Sequence, residues 1–311
     1  MERFLEKEKE IESLIKNGGR FGKGKAQNLV RQLNLEHFLE WDEGLLGNKR
    51  QHLEAKVYRK EFFVNPSKRY DMTTDCVNED CVEVAAKLKN EGFNPAILNL
   101  ASAVHPCGGY NKGWSAQEES LCYVSTLSQV LYQYGTARQA RGAGVEHKGE
   151  AYPLDRNFGG IYAPCVRFFR KNAKSYFAFR EQPFDCSVIT VASLANNARD
   201  EMSEDETRFF NADGTMNEQG LEIERNKIRT IFRLAVEGGN DSLVLGAFGC
   251  GAYHLLPSEV SALFEETLKE KEFDGAFKKI VFAIYEGKGK RGRITGKDGW
   301  FGPFYDRFAK N

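Results

Sequence analysis

The chain has 311 residues, 41% of them hydrophobic, which is enough to bury a sizeable core as one large domain or two small ones. Basic and acidic residues number 44 each, so no overall positive field draws the protein to DNA or to an anionic membrane, and we expect neither as a partner. No run of about 18 apolar residues occurs, and the charged N-terminus lacks the apolar core of a signal peptide, which favours a cytoplasmic protein, or a nuclear one in a eukaryote.

The N-terminal third begins with helical patterns. Residues 3–16 and 24–42 carry apolar residues at helical spacing and predict a helical extension over residues 1–70. A short strand-like run at 54–64 follows. Residues 78–92 then predict a helix that Gly92 ends.

Buried strands and helices alternate over the rest of the chain. Residues 95–104, PAILNLASAV, form a continuous apolar run, which is typical of a strand covered on both faces. A helix is predicted at 118–135 and a long loop at 136–158. The remaining predicted elements are strands at 160–169 and 186–195, a helix at 217–239, a strand at 243–245, a helix at 257–269 and a strand at 277–286.

This alternation predicts an α/β fold whose sheet is mainly parallel and covered by helices on both faces. Ligands of such sheets bind beyond the carboxyl ends of the strands, in the loops that lead into helices. The tail from residue 287 starts basic and ends aromatic. It is either a solvated linker or a phosphate-binding arm, and its aromatic residues are expected to dock on the body.

The seven cysteines are scattered between Cys76 and Cys250, and their odd number favours reduced thiols over a disulfide framework. Cys76 and Cys81 would need two further ligands to form a structural zinc site. The five histidines share no metal-ligand spacing. We therefore predict no metal and no cofactor.

A glycine-rich loop, GAFGCGAY at 246–253, follows the predicted strand at 243–245. Glycine permits positive φ and lets backbone N–H groups point into a concavity at the positive end of the next helix. A phosphate or diphosphate fits such a loop, and a tight turn without a ligand is the alternative. The P-loop motif GxxxxGK[ST] is absent from the sequence, which argues against a P-loop nucleoside triphosphatase.

A second loop, HPCGGYNKGWSA, leads into Gln117, Glu118 and Glu119. Acidic residues in the first turn of a helix complement the macrodipole, which is the plain explanation of the pair. Consecutive helical residues diverge by about 100°, so the two carboxylates can also reach different atoms of one ligand. One would then orient a sugar while the other transfers protons.

The segment PAILNLASAVHPCGGYNKGWSAQEESLCYVSTL resembles the signature of microbial-type poly(ADP-ribose) glycohydrolases, a branch of the macrodomain superfamily. That signature is three glycines, a short spacer and Gln-Glu-Glu. Here the spacer runs from Tyr110 to Ala116, and Cys107 replaces the first glycine. VLGAFGCGAYHLLPSEVSALFEETL is similar to the diphosphate-binding loop and helix of the same family. The resemblance extends over residues 75–286.

The resemblance implies a macrodomain-like α/β/α sandwich over residues 71–311, with the helical extension packed on it. It also implies a site in which Glu119 is catalytic and Glu118 binds the distal ribose. The other implied substrate-binding residues are Asn99, Gly108, Gly109, Gln117, Ala247, Phe248, Gly249, Cys250, Gly251, Ala252 and Tyr253. Tyr253 is expected to pack over the distal ribose, and the segment from Ala247 to Ala252 is expected to wrap the diphosphate. The two loops would meet in one cleft.

The activity that follows is hydrolysis of the ribose–ribose O-glycosidic bonds of poly(ADP-ribose), with ADP-ribose as product and no metal required. A single glutamate can protonate the leaving oxygen and then activate water. Two alternatives stay open: a hydrolase of the ester between ADP-ribose and a protein, and an ADP-ribose-binding module without activity. Cys107 favours the second alternative if its backbone has positive φ, because a non-glycine residue is strained there. We expect a monomer.

Overall fold

The computed structural model describes residues 2–40, 48–197, 205–286 and 299–309. The chain divides into two compact units. The helical unit consists of Met1–Ala55, Val104–Pro153 and Ala163–Cys186, and the sheet unit consists of Lys56–Ala103, Leu154–Tyr162 and Ser187–Asn311. The predicted boundary at residue 70 stays a prediction.

A seven-stranded mixed sheet has the order β1-β4-β5-β3-β6-β7-β2. The strands are β1 (Lys56–Tyr58), β2 (Thr73–Val77), β3 (Pro95–Leu100), β4 (Gly160–Arg170), β5 (Phe179–Val191), β6 (Ser242–Leu245) and β7 (Lys279–Ala283). The pairs β3–β5, β3–β6, β6–β7 and β2–β7 are parallel, whereas β1 and β4 are antiparallel. Strand β6 is buried along its whole length, as its apolar run predicts. The predicted mainly parallel α/β fold is confirmed.

The described helices are α1 (Glu2–Asn17), α2 (Gly19–Glu40), α3 (Lys49–His52), α4 (Cys81–Asn90), α5 (Gln117–Val124), α6 (Leu127–Tyr132), α7 (Ala137–Gly142), α8 (Glu218–Glu237), α9 (Pro257–Leu268) and α10 (Phe301–Phe308). Single-turn 3₁₀ helices cover Tyr110–Lys112, Ala173–Ser175 and Thr207–Phe209. Among the described helices, none is both long and apolar enough to cross a bilayer.

Side-chain caps explain several helix starts. Asp80 caps α4 by accepting from the Val82 N–H at 2.9 Å, and Asn217 caps α8 by accepting from the Gly220 N–H at 3.0 Å. Gly92 follows α4 with φ of +88°, which fits its predicted role in ending the helix.

Two helix predictions were wrong in detail. The single helix predicted at 118–135 is interrupted, because Ser125 is extended and forms a β-bridge with Phe168 of β4. The loop predicted at 136–158 contains α7, which a capping box between Thr136 and Gln139 starts. A fixed hydrophobic period cannot reveal a two-residue pairing with a distant strand.

Two strand predictions also differ from the structure. The run predicted at 54–64 forms a strand only over β1, and the strand predicted at 186–195 begins at Phe179, within a polar stretch that sequence reasoning left out. The tail behaves as expected where it is described: Phe304 and Phe308 of α10 are buried in the core of the sheet unit, and Phe308 stacks on Phe282 with ring centroids 4.3 Å apart. Its basic part, residues 287–298, lies outside the described residues.

The helical unit is tied together by a buried arginine. Arg170 of β4 donates to Asn34 Oδ1 of α2 at 2.7 Å and forms an ion pair with Glu8 of α1 at 2.8 Å. Asn34 in turn donates to the Tyr123 carbonyl of α5 at 2.9 Å. Helix α2 therefore packs directly on the helix that carries Glu118 and Glu119, and α1 is joined to α2 through Arg170.

Candidate active site

The acidic loop, defined as residues 105–119 and named for its two glutamates, runs into the first turn of α5 in the helical unit. Glu118 and Glu119 lie in the first turn of α5, yet their exposed fractions are only 3% and 4%. Acidic residues that serve only the helix dipole stay in water, because burying a carboxylate is costly unless it is bonded or paired. Burial of both carboxylates indicates a role beyond that of a helix start.

Glu119 is held by one oxygen only. Its Oε1 accepts a hydrogen bond from the Gly109 N–H at 2.7 Å. Its Oε2 is buried and has no hydrogen-bond partner among the described residues. A buried unsatisfied oxygen costs free energy and is rare, so this atom is available to a ligand.

Gly108 lies against both carboxylates. Its φ is +52°, and a Cβ at this position would come within 2.6 Å of Glu119 Oε1 and 3.1 Å of Glu118 Oε2. Only glycine fits both the backbone and the space. The neighbouring Gly109 has no room either, because a Cβ there would overlap the indole of Trp114.

Cys107, which replaces the first glycine of the signature, has φ of +65° and is fully buried. The backbone condition under which strain was predicted is therefore met. Its Sγ lies 3.9 Å from the Ser128 carbonyl, and burial raises the pKa of the thiol, so the thiol stays protonated at neutral pH. The left-handed backbone costs about 1–2 kcal/mol for a residue with a Cβ.

Replacing Cys107 separates strain from packing. Cys107→Ala loses the sulfur and keeps the strain, whereas Cys107→Gly loses the sulfur and relieves it. We expect Cys107→Gly to be more stable than Cys107→Ala by about 1 kcal/mol, as measured by urea denaturation. If Cys107→Ala were instead more stable than Cys107→Gly, the backbone at this position would not be strained.

Tyr152 is a polar residue near this loop that sequence reasoning missed. Its hydroxyl is buried and lacks a partner among the described residues. Burial raises the pKa of this phenol well above its usual value, and the charge of Glu118 adds to the effect. A neutral, unpartnered hydroxyl beside an acidic group can donate a hydrogen bond to a ligand. In the sequence, the only distinctive feature of Tyr152 is its position before a proline.

The glycine loop, residues 246–253, connects β6 to α9 in the sheet unit. Within it the Phe248 N–H donates to the Gly246 carbonyl at 2.9 Å and the Cys250 N–H to the Ala247 carbonyl at 3.1 Å. The N–H groups of Gly249, Gly251 and Ala252 donate to no described residue. Three free backbone donors before a helix suit a diphosphate.

Two glycines of this loop differ in the space around them. Gly249 has φ of +73°, and a Cβ there would overlap Ser193 Oγ and lie 2.6 Å from Leu255 Cδ1. Gly251 has an ordinary φ, and a Cβ there would have its nearest neighbour, an atom of Trp300, 3.9 Å away. Without a ligand, the fold therefore requires glycine at position 249 and does not require it at position 251.

We expect Gly249→Ala to destabilise the protein by at least about 2 kcal/mol, because it adds both strain and overlap. Gly251→Ala, the matched control two residues away, should change stability by no more than about 0.5 kcal/mol. Thermal denaturation of both variants checks this. Equal stabilities would contradict the geometry described for Gly249.

Tyr253 and Asn99 both lie at the carboxyl end of β3. The Tyr253 hydroxyl accepts from the Ala103 N–H at 3.1 Å and donates to the Ala101 carbonyl at 3.4 Å. Asn99 is fully buried and donates to Thr190 Oγ1 at 3.2 Å. Tyr253 therefore fixes the chain after β3, and the sugar contacts expected of both residues stay predictions.

Buried charges fix the segment that follows β5. Glu224 of α8 accepts from the Ser193 hydroxyl at 2.8 Å and from the Leu194 N–H at 3.0 Å, and Lys227 donates to the Ala192 carbonyl at 2.6 Å. The same segment borders the glycine loop, since Asn197 donates to the Ala252 carbonyl at 2.7 Å. Sequence reasoning missed this network because charged residues on a helix are usually solvated.

Glu224 makes stability depend on pH. Burial raises its pKa from 4.5 to about 7, against the opposing charge of Lys227. The folded protein then binds more protons than the unfolded chain between these values, so stability falls as pH rises from 4.5 to 7.

Between pH 4.5 and 7, we expect the free energy of unfolding of Glu224→Gln to decrease by roughly 2 kcal/mol less than that of the wild type. Urea denaturation across the pH range measures it. The control Glu218→Gln, an exposed position on the same helix, should keep the wild-type slope. An unchanged slope in Glu224→Gln would show that this carboxyl does not titrate in the range.

One cluster has the donor types of a metal site. His52, Cys165 and Asp185 of the helical unit place one ligand atom each within 4.8 Å of one another. The His52 Nδ1 already lies 3.0 Å from the Cys165 carbonyl, however, and Asp185 is paired with Arg167 at 3.1 Å. These groups are satisfied by the protein, and we assign no metal to them.

A comparison with protein-family models covers the acidic loop and its glutamates. Residues 45–171 match the model described as the catalytic domain of microbial-type PARG, the poly(ADP-ribose) glycohydrolases. Residues 45–171 are therefore similar to the catalytic domain of the microbial-type PARG family. The predicted family and its enzyme class, a glycohydrolase, are confirmed. A search of curated proteins gave no match.

Solved bacterial PARG structures share the fold. PARG from Deinococcus radiodurans in complex with ADP-ribose is 24% identical with a TM-score of 0.61, and the match covers 83% of this chain and 95% of that chain. PARG from Thermomonospora curvata bound to the inhibitor ADP-HPD is 21% identical with a TM-score of 0.67, and the match covers 91% and 100%. This likeness confirms the macrodomain-like α/β fold.

Proposed function

We propose that the protein hydrolyses the ribose–ribose O-glycosidic bonds of poly(ADP-ribose) and releases ADP-ribose, thereby reversing ADP-ribosylation. One observation carries the proposal. In a segment that matches the model of the microbial-type PARG catalytic domain, Glu119 is buried, anchored through one oxygen by the Gly109 N–H, and unpartnered at the other among the described residues.

The anchored carboxyl fits the two halves of the reaction. In the first, Glu119 in its protonated form gives a proton through Oε2 to the leaving ribose oxygen, and the bond to the anomeric carbon breaks. In the second, the carboxylate takes a proton from water, whose oxygen bonds to the anomeric carbon. The glutamate ends in its starting form, and both steps use a side chain of this protein alone.

The remaining roles are assigned by the family pattern. Glu118 and Asn99 hold the distal ribose, and Gly108 and Gly109 let the backbone approach it. Gln117 contributes to the same sugar-binding loop. The segment from Ala247 to Ala252 holds the diphosphate, which its free N–H groups support, and Tyr253 covers the ribose. The substrate is poly(ADP-ribose) or an ADP-ribosylated protein, and the protein works as a monomer without DNA or membrane partners.

A cytoplasmic location is part of the proposal. It is supported by the cysteines, all seven of which are free thiols, because disulfides are rare in the cytosol.

A second candidate, an ADP-ribose reader without activity, is favoured by one observation. Cys107 occupies a strained position in the signature loop, two residues before the amide that anchors Glu119. A shift of this loop would move the anchor and reduce catalysis while leaving the diphosphate loop intact.

Product analysis separates the candidates. The wild-type protein is incubated with poly(ADP-ribose), and in parallel with a peptide that carries one ADP-ribose on a glutamate ester. We expect ADP-ribose from the polymer at a rate at least about tenfold above that from the ester. Faster ester cleavage would replace the proposal by an ester hydrolase, and calorimetric ADP-ribose binding without any release would replace it by the reader.

A further inference from the structure

A cleft of about 260 Å³ lies in the helical unit between α2, the 3₁₀ turn Tyr110–Lys112, α6 and α7. Its charged lining residues are Arg31 of α2 and Arg138 of α7, and no carboxylate of the described residues lines it. Its other polar lining residues include Asn111, Ser128 and Gln129. The cleft is therefore positively charged and rich in hydrogen-bond donors.

The two arginines differ from many of the arginines whose side chains the structure describes. Arg156, Arg167, Arg170, Arg225, Arg229 and Arg233 each form an ion pair with a carboxylate. Arg31 and Arg138 have no carboxylate partner among the described residues, and Arg31 Nε is buried without any hydrogen-bond partner there. A buried guanidinium N–H without a partner in the protein is available to an anion.

The size of the cleft restricts the ligand. Pockets for whole drug-sized ligands begin at about 300 Å³, so this cleft fits a diphosphate with part of its sugar better than a whole nucleotide. A planar guanidinium group can form bidentate hydrogen bonds with phosphate oxygens. A pair of arginines therefore suits a diphosphate.

The cleft adjoins the acidic loop. Tyr110 and Asn111, which line it, directly follow Gly109, whose N–H anchors Glu119. A polymer held in the cleft would therefore be held beside the loop that carries the proposed chemistry. Each repeat of poly(ADP-ribose) carries a diphosphate, so a chain in the site offers further diphosphates to neighbouring subsites.

We propose that Arg31 and Arg138 form a secondary subsite that binds the diphosphate of a second ADP-ribose unit of the polymer. That the ligand is poly(ADP-ribose) rests on the proposed function. That the cleft binds an anion rests on the geometry of the cleft alone. The subsite gives α2, which precedes the segment matched by the family model, a direct part in substrate binding.

Binding of inorganic pyrophosphate tests the subsite without catalysis. Saturating ADP-ribose first fills the proposed active site, and pyrophosphate is then titrated by calorimetry. We expect the wild-type protein to bind it, and the double variant Arg31→Gln/Arg138→Gln to bind it at least about tenfold more weakly. Arg141→Gln is the matched control, because Arg141 is exposed on the same helix as Arg138 and does not line the cleft.

Steady-state kinetics on the polymer tests the assignment to the substrate. The double variant should raise KM for poly(ADP-ribose) at least about fivefold, with kcat within about twofold of the wild type and ADP-ribose affinity unchanged. The single variant Arg138→Gln, at an exposed position, should raise KM about threefold even if loss of the half-buried Arg31 disturbs folding.

The outcomes separate the two proposals. Pyrophosphate binding that the double substitution leaves intact overturns the subsite, and so does an unchanged KM. Competition by single-stranded RNA as strong as that of the polymer overturns the assignment to poly(ADP-ribose). Pyrophosphate binding through the two arginines, in a protein that neither binds ADP-ribose nor cleaves polymer, overturns the proposed function and leaves the anion site standing.

Discussion

Glu119→Gln is expected to lower kcat for poly(ADP-ribose) by about 10³-fold, because general acid–base catalysis contributes about 10²–10⁴-fold. The glutamine oxygen can still accept from the Gly109 N–H, so the side chain keeps its place. Its amide can neither give nor take the proton. Single-turnover assays with excess protein measure the chemical step.

Two controls show whether the loss is chemical. ADP-ribose affinity of Glu119→Gln should stay within about threefold of the wild type. Ser120→Ala, at an exposed position in the same helical turn, should retain full activity. More than about a tenth of wild-type activity in Glu119→Gln would remove this residue from the mechanism.

Gly108→Ala is expected to lower kcat about 10²-fold although it replaces no proposed catalytic side chain. The new Cβ would lie 2.6 Å from Glu119 Oε1 and would push the carboxylate from the Gly109 amide. A displacement of about 1 Å costs about 10²-fold in rate. The left-handed backbone adds about 1–2 kcal/mol of destabilisation.

Gly24→Ala is the control for this substitution. Gly24 lies within α2 of the same unit, and a Cβ there meets no atom within 4 Å. We expect it to keep activity and to gain up to about 1 kcal/mol of stability from helix propensity. Full activity in Gly108→Ala would show that Glu119 tolerates displacement, which contradicts the anchored geometry.

The sequence predicted the elements whose signal is local. The apolar run predicted as a strand at 95–104 forms β3, which ends at Leu100. Asn217, the first residue of the helix predicted at 217–239, caps α8. The glycine pair and the Gln-Glu-Glu motif marked the acidic loop through their resemblance to the family signature. Each of these signals is carried by residues within one element, where periodicity and capping act.

Features that depend on distant partners were not predictable. On composition alone, two acidic residues at a helix start favour the dipole explanation, and only their burial separates it from a role in binding or catalysis. The break after α5 comes from pairing with β4, and the burial of Glu224 comes from the segment after β5. The cleft between Arg31 and Arg138 joins helices that lie about a hundred residues apart in the chain.

The most direct test of the account uses poly(ADP-ribose) labelled in its ADP-ribose units and incubated with wild-type protein in excess, with Glu119→Gln in parallel. We predict labelled free ADP-ribose from the wild-type reaction and intact polymer from the Glu119→Gln reaction, with both proteins bound to the polymer. Polymer that stays intact with the wild-type protein, or that both proteins cleave at the same rate, would contradict it.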